Sequence, residues 1–355
     1  MTPGYGHSRL DGHPGERWRP GCCGTTTFPH GTGASPSPSD HPMPAIRIRH
    51  VLITDDRGDA LATYLAARRS DLDCRVRTTS TLTESDPQWA DALVGFTTPI
   101  ALDRSSIRWV HSTGAGVDGL LGRKRWPDEV TLTRTTGALG ARMAEYCVGH
   151  ALAVSQRILP FHRDQQAGRW APVEPAGVRG TTAVIIGTGS VGSAIATQFN
   201  ALGCSSIGVS RSGFPTPPFE HVHPVERLAD SVSEAHWLVL AAPLTRETRG
   251  LVGVTVLAHC RGAVVINVAR GGLLDTAALL DALNAGTVAG AVLDVFDTEP
   301  LPPDSPLWCA PGVVITPHVA GVTRLEEAGA AFLEALTHLE AGRRPPSAVD
   351  PKRGY

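Results

Sequence analysis

Residues 181–194 read "TTAVIIGTGSVGSA". Four apolar residues, Ala183 to Ile186, run straight into Gly187-x-Gly189-x-x-Gly192 and then into a helical pattern. A short strand that is apolar on both faces belongs inside a parallel sheet covered on both sides. Between such a strand and a helix, each glycine has a physical task. Gly187 allows the tight turn, Gly189 lets a pyrophosphate come up against the backbone, and Gly192 lets helix and strand pack closely. Ser190 and Val191 then open a helix whose first amides and positive dipole end suit phosphate. The stretch predicts a doubly wound α/β sheet that binds a dinucleotide.

The end of the following strand bears on which dinucleotide. In an NAD site an acidic residue about twenty positions on accepts from the ribose 2′-hydroxyl. Here "SIGVS" ends in Ser210, followed by Arg211 and Ser212. No carboxylate stands there to repel a 2′-phosphate, Arg211 can pair with one, and both hydroxyls can hydrogen-bond it. The expected cofactor is NADP, with NAD as second choice.

The same alternation continues on both sides. Downstream, "HWLVLAA", "AVVINVA", "GAVLDVF" and "VVIT" read as strands, with "DTAALLDALNAG" as a helix among them. Upstream, "IRIRHVLIT", "DCRVRT", "DALVGF" and "IRWVHST" read as strands and "GDALATYLAARR" as a helix. Two such series predict two doubly wound α/β domains with a cleft between them. A long helical stretch from about Ala141 joins them, and Pro160 should kink it or end its first part. A closing amphipathic helix follows from "TRLEEAGAAFLEALTHLEAG".

Residues 1–44 are rich in Gly, Pro, Ser, Thr and His without apolar periodicity, which predicts a disordered tail. Met43, just before "PAIRIRHVLIT", is a candidate alternative start. With 32 basic and 34 acidic residues, no net field favours nucleic acid or an anionic membrane. No apolar run approaches the length of a membrane span. The seven cysteines lack metal-ligand spacing and fit a reducing, cytoplasmic setting. No metal is expected.

Polar residues at three consecutive strand ends carry the chemistry. "VVINVARGG" ends in Arg270, "AVLDVFDTEP" carries Asp294 and then Glu299, and "VVITPH" ends in His318. Arg270 can hold a substrate carboxylate and polarise a neighbouring carbonyl. His318 can give a proton to the carbonyl oxygen as hydride reaches the carbon. Glu299 beside it would orient the ring and favour imidazolium, and Asp294 can accept from the nicotinamide carboxamide. The competing arrangement is an Arg270–Glu299 ion pair with His318 as a bystander.

From about residue 46 to 345 the chain resembles the D-isomer-specific 2-hydroxyacid dehydrogenases. The motifs that carry the likeness are "GTGSVG", "AAPLTRETRGLVG", "INVARGGLLD", "LDVFDTEPLPPDSPLW" and "TPHVAGVT". The resemblance implies Arg270, Glu299 and His318 as the catalytic set and Asp294 as the carboxamide contact. It places Ala242, Pro243, Leu244, Thr248, Val268, Ala269 and Gly321 along the cofactor. It also gives "STGAGVDGL" a role, with Ala115 and Gly116 offering main-chain amides to the substrate carboxylate. Trp170 and Trp308 read as core or interface residues rather than substrate contacts.

"PLPPDSPLW…ITPHVAGVTR" is most similar to the glyoxylate/hydroxypyruvate reductase branch, which commonly uses NADPH. Glutamate at 299, rather than glutamine, counts against formate oxidation. The expected function is therefore reduction of small 2-oxo acids to D-2-hydroxy acids in a homodimer built on the helical stretch after Ala141. A dehydrogenase for 3-phosphoglycerate, D-lactate or a bulkier acid, and a non-catalytic dinucleotide-sensing corepressor, are the rivals. The expected domains are a substrate domain over 45–145 completed by helix 322–345, a Rossmann domain over 146–321, and a tail over 346–355.

Overall fold

The computed structural model describes residues 43–122 and 125–354. The disorder expected for the first 44 residues therefore lies, up to residue 42, outside the described residues. Met43 itself is anchored, its amide donating to the carbonyl of Gly342 at 3.0 Å.

Five strands form the first sheet: β1 His50–Ile53, β2 Asp73–Val76, β3 Ala92–Gly95, β4 Trp109–Ser112 and β5 Thr131–Arg134. Seven form the second: β6 Thr182–Ile186, β7 Ser205–Ser210, β8 His221–Pro224, β9 Trp237–Leu240, β10 Ala263–Asn267, β11 Val288–Leu293 and β12 Val313–Ile315. The helices in chain order are α1 Gly58–Ala66, α2 Asp86–Trp89, α3 Asp118–Leu121, α4 Leu139–Ser155 and α5 Ile158–Gln166. They continue with α6 Ser190–Ala201, α7 Leu228–Ser231, α8 Val254–Leu257, α9 Thr276–Ala285 and α10 Leu325–Glu340.

The strand orders are β2-β1-β3-β4-β5 and β12-β11-β10-β9-β6-β7-β8, with all pairings between these strands parallel. The first is the flavodoxin-like order, and the second is the dinucleotide-binding order with one strand added. The α/β fold class with two doubly wound parallel sheets is thus the observed one. Strands β5 and β8 lie at sheet edges, and their polar alternation, "TLTR" and "HVHP", gives no apolar run to mark them in the sequence.

The second sheet is covered on one face by α4 and α6, which bury Met143, Cys147, Ile195 and Phe199 against Ile185 and Val239. On the first sheet, α10 buries Phe332, Leu336 and Leu339 against Ile48, Val51 and Trp109. The long helical stretch divides at Arg157, whose φ of 55° is left-handed. Pro160 lies in the first turn of α5 rather than at the break, where its missing N–H costs nothing. Of the segment expected as a tail over 346–355, Ser347, Ala348 and Val349 run along β5. Val349 donates to the carbonyl of Leu132 at 2.8 Å, Arg134 donates to that of Ser347 at 3.1 Å, and Val349 is buried. The valine fills apolar surface on an otherwise open sheet edge, a cue invisible in "PSAVDPKRGY". Among the described residues, no helix is long and apolar enough to cross a membrane, and no group of three or more His, Cys, Asp or Glu could hold a metal ion.

Candidate active site

Strand register brings the predicted residues to one rim. Ile186 pairs with Leu240, Leu240 with Asn267, Asn267 with Leu293, and Leu293 with Ile315. The residues that follow these partners therefore leave the sheet side by side at its carboxyl edge, where such sheets hold ligands.

The glycine loop has the shape its sequence requires. Gly187 has φ 104°, and a Cβ there would stand 2.8 Å from the backbone of Ala241 and Ala242. A Cβ on Gly192 would stand 1.8 Å from the carbonyl oxygen of Gly187, so helix α6 can pack this closely only without one. A Cβ on Gly189 would have no neighbour within 4 Å. That open backbone at the head of α6, with Ser190 and Val191 as its first residues, fits a pyrophosphate. The residues present thus fit a dinucleotide.

Ser210 ends β7 and accepts from the amide of Gly213 at 3.1 Å, while Arg211 and Ser212 are exposed. Arg211 has an interaction of its own within the protein. Glu247 lies within its electrostatic reach: hydrogen bonding by Thr245 chiefly, with the charges of Arg246 and Arg211, lowers the Glu247 carboxyl from its usual range. After β9, Ala242 is buried, Pro243 exposed and Leu244 half-buried, and Thr248 donates to the carbonyl of Pro243 at 2.7 Å.

The imidazole of His318 is bound by Glu299. Its Nδ1 lies 2.7 Å from Oε2 of Glu299, whose Oε1 accepts the Phe296 amide at 2.8 Å. With Nδ1 engaged, Nε2 is the ring nitrogen left for a ligand. His318 has φ 54°, a left-handed conformation that a residue without special support avoids. The support is Asp294, 1% exposed. Its carboxylate accepts the amides of Val319 and Ala320, each at 2.9 Å, and the Thr316 hydroxyl at 2.5 Å. The Thr316 hydroxyl spends its proton on Asp294, so the Tyr146 hydroxyl 2.6 Å away is the donor to Thr316. Burial raises the Tyr146 phenol above its usual range, keeping that proton in place. Asp294 is thus first a brace for the His318 turn.

Arg270 does not pair with Glu299. Its Nε donates to both carboxylate oxygens of Asp118, at 3.1 and 3.2 Å, and Nη1 donates to the carbonyl of Ala269 at 2.7 Å. A Cβ on Gly116 would stand 1.6 Å from Nη2, so the guanidinium lies directly on that glycine. Behind it, the carbonyls of Gly116 and Ala115 accept from Ser112 at 2.9 Å and Arg134 at 3.4 Å. The amides of Ala115 and Gly116 meet no acceptor among the described residues. Asn267, 1% exposed, shapes the turn before Arg270: it accepts the Ala269 amide and donates to the Arg270 carbonyl. Val268 and Ala269 are buried in that turn. Gly321 lies against Leu139 and Met143 of α4, where a Cβ would come within 3.0 Å of both side chains.

Asp118, Asn267, Thr316 and Tyr146 escaped the sequence reading. Only Asn267 left a trace there, as the single amide in an apolar strand. Trp170 is 95% exposed and Trp308 52%, so neither is a core residue.

Comparison with known proteins gives the family. The sequence profile described as "D-isomer specific 2-hydroxyacid dehydrogenase, NAD binding domain" matches residues 148–320. A glyoxylate/hydroxypyruvate reductase A from Klebsiella pneumoniae (strain 342) is 35% identical over 279 residues, 76% of this chain and 89% of that one. The chain belongs to the D-isomer specific 2-hydroxyacid dehydrogenase family. Among solved structures, a family member from Xanthobacter autotrophicus Py2 in complex with NADPH and MES is 35% identical, with a TM-score of 0.79 over 87% of this chain and all of that one. An NADPH-dependent glyoxylate/hydroxypyruvate reductase from Sinorhizobium meliloti, in complex with NADP and sulfate, is 27% identical. Its TM-score is 0.76 over 86% of this chain and all of that one. The protein is thus an NAD(P)-dependent oxidoreductase of this family.

Proposed function

We propose that this family member is an NADPH-preferring reductase of small 2-oxo acids, glyoxylate and hydroxypyruvate foremost, that yields D-2-hydroxy acids. The observation that carries this reading is the Glu299–His318 pair, with Nε2 free at the rim that also holds Arg270. The cofactor, when bound, supplies hydride to the carbonyl carbon. His318 then delivers the proton from Nε2 to the carbonyl oxygen, and Glu299 steadies the imidazolium before that transfer. Arg270 and the adjoining Ala115 and Gly116 amides, one group from each sheet, converge on the substrate carboxylate. Asp294 keeps one lone pair on Oδ2 beyond the Ala320 amide, which supports its role toward the carboxamide. Arg211, Ser210 and Ser212 recognise the 2′-phosphate, and the NADP-bound relatives favour the same cofactor.

A homodimer is part of this proposal. Leu152, Ile158, Leu159, Trp170 and Val173 all expose apolar surface along the stretch after Ala141. A second copy would cover it.

The test follows loss of NADPH and of NADH with glyoxylate, hydroxypyruvate, pyruvate and 2-oxoisocaproate in turn. Faster turnover of the two small substrates with NADPH is expected. Preference for 2-oxoisocaproate would move the protein to a different substrate class. Tight dinucleotide binding with no turnover of any of the four would favour a binding protein.

A further inference from the structure

Asp118 sits in the first turn of the short helix α3, and its carboxylate takes both its hydrogen bonds from Arg270 Nε. It caps no helix. The contact joins the loop after β4 of the first sheet to the turn after β10 of the second. Its side chains are 37% and 22% exposed, so as an ion pair it adds little to stability. Its effect is geometric. A guanidinium has five N–H groups in one plane. Nε is bound to Asp118 and one Nη1 hydrogen to the Ala269 carbonyl, so the plane is fixed and the Nη2 edge faces Gly116.

We infer that Asp118 is a positioning residue that sets the guanidinium plane of Arg270 for binding a small carboxylate against the Ala115–Gly116 amides. This rests on the proposed reductase function for the substrate's identity, and on the Asp118–Arg270 geometry alone for the orientation. Asparagine at 118 keeps one oxygen to accept from Nε, whereas alanine keeps none. Lysine at 270 has no Nε–H for Asp118 to hold.

The experiment measures KM and kcat for glyoxylate with NADPH, the affinity for NADPH, and the affinity for oxalate in the presence of NADPH. It uses wild-type protein, Asp118→Ala, Asp118→Asn, Arg270→Lys and the Asp118→Ala/Arg270→Lys double variant. Asp118→Ala should raise KM and weaken oxalate at least tenfold, with NADPH affinity within twofold of wild type. Asp118→Asn should recover more than half of that loss on a logarithmic scale. In the Arg270→Lys background, Asp118→Ala should change KM and oxalate affinity less than twofold. Equal losses in the presence and absence of Arg270, or an alanine variant within twofold of wild type, would overturn the inference. Wild-type protein that turns over no 2-oxo acid would sink the functional reading instead, and the oxalate affinities would then decide the role of Asp118 by themselves. Absence of oxalate binding to wild type at millimolar concentration would overturn it as well.

Discussion

His318 and Asp294 are joined twice over. The His318 amide donates to the Asp294 carbonyl at 2.9 Å, and the Asp294 carboxylate takes the next two amides. The aspartate just after β11 thus holds the turn after β12 that carries the imidazole, including its left-handed φ. Asp294→Asn replaces one acceptor oxygen by an NH2 group that faces an amide donor. We expect kcat to fall by about 10- to 100-fold, as for supporting residues around other catalytic groups, while the far-ultraviolet spectrum stays unchanged. Rapid-mixing kinetics with NADPH and glyoxylate would measure it. A kcat within twofold of wild type would show that the turn holds its shape without the carboxylate.

His318→Ala removes the proposed proton donor itself. Turnover should drop by about two to four orders of magnitude, the usual worth of a positioned general acid, with NADPH affinity nearly intact. Glu299→Gln should fall between this variant and wild type, because glutamine can still accept from Nδ1–H but carries no charge. Steady-state rates with equilibrium titration of NADPH separate the two effects. Undiminished turnover in His318→Ala would exclude the histidine as proton donor.

In the proposed reading, cofactor choice rests on Arg211, with Glu247 within its electrostatic reach. Arg211→Ala should weaken NADPH by about 10- to 100-fold, the range for a hydrogen bond to a charged group, and NADH hardly at all. Glu247→Gln removes a negative charge within reach of the same arginine and should tighten NADPH. Fluorescence titration with both reduced cofactors tests this. Equal weakening of the two by Arg211→Ala would refute the phosphate contact.

His111 on β4 makes a pH-dependent contribution to stability. It is fully buried, and desolvation lowers its pKa to about 3. Thr135 donates its hydroxyl proton to the Ser112 carbonyl, so Nε2–H donates to Thr135. Thr133 accepts the Trp109 indole N–H and donates to Nδ1. The chain of bonds demands a neutral ring. The unfolded chain binds a proton near the ordinary histidine pKa and the folded one does not. This contribution is therefore complete above about pH 6.5 and is lost as pH falls toward 3. Between pH 7 and pH 5 the loss should be about 2 kcal/mol. Urea unfolding of wild type and His111→Asn at both pH values isolates the term, since every other titrating group is common to the two. A parallel pH dependence in the variant would contradict it.

The glycine loop and the strand-end residues were readable because their chemistry is local: a spacing, a strand and a helix suffice. Arg270 and His318 are legible as candidates for the same reason, each standing just past an apolar run, and Glu299 follows Asp294 by five residues in the loop after another. Which group meets which is not. Arg270 and Asp118 lie 152 positions apart, on different sheets, and nothing in "AGVDGL" marks its aspartate as the partner. The place of Asp294 at a strand end points it at a ligand, yet most of its hydrogen-bonding capacity is turned inward on the His318 turn. Pairings across the fold depend on packing, and packing leaves no spacing rule in the chain.

The return of α10 to the first sheet bears on how the chain acquires its structure. The ring of Phe332 stacks on Trp109 at 4.5 Å, and Val349 joins Leu132 in the sheet's other core cluster. The amino-terminal sheet therefore waits for segments synthesised more than two hundred residues after its first strand. Contacts of such sequence separation form slowly. During translation, the dinucleotide sheet can complete its own core while the earlier-born one still has a bare hydrophobic face in need of chaperone cover.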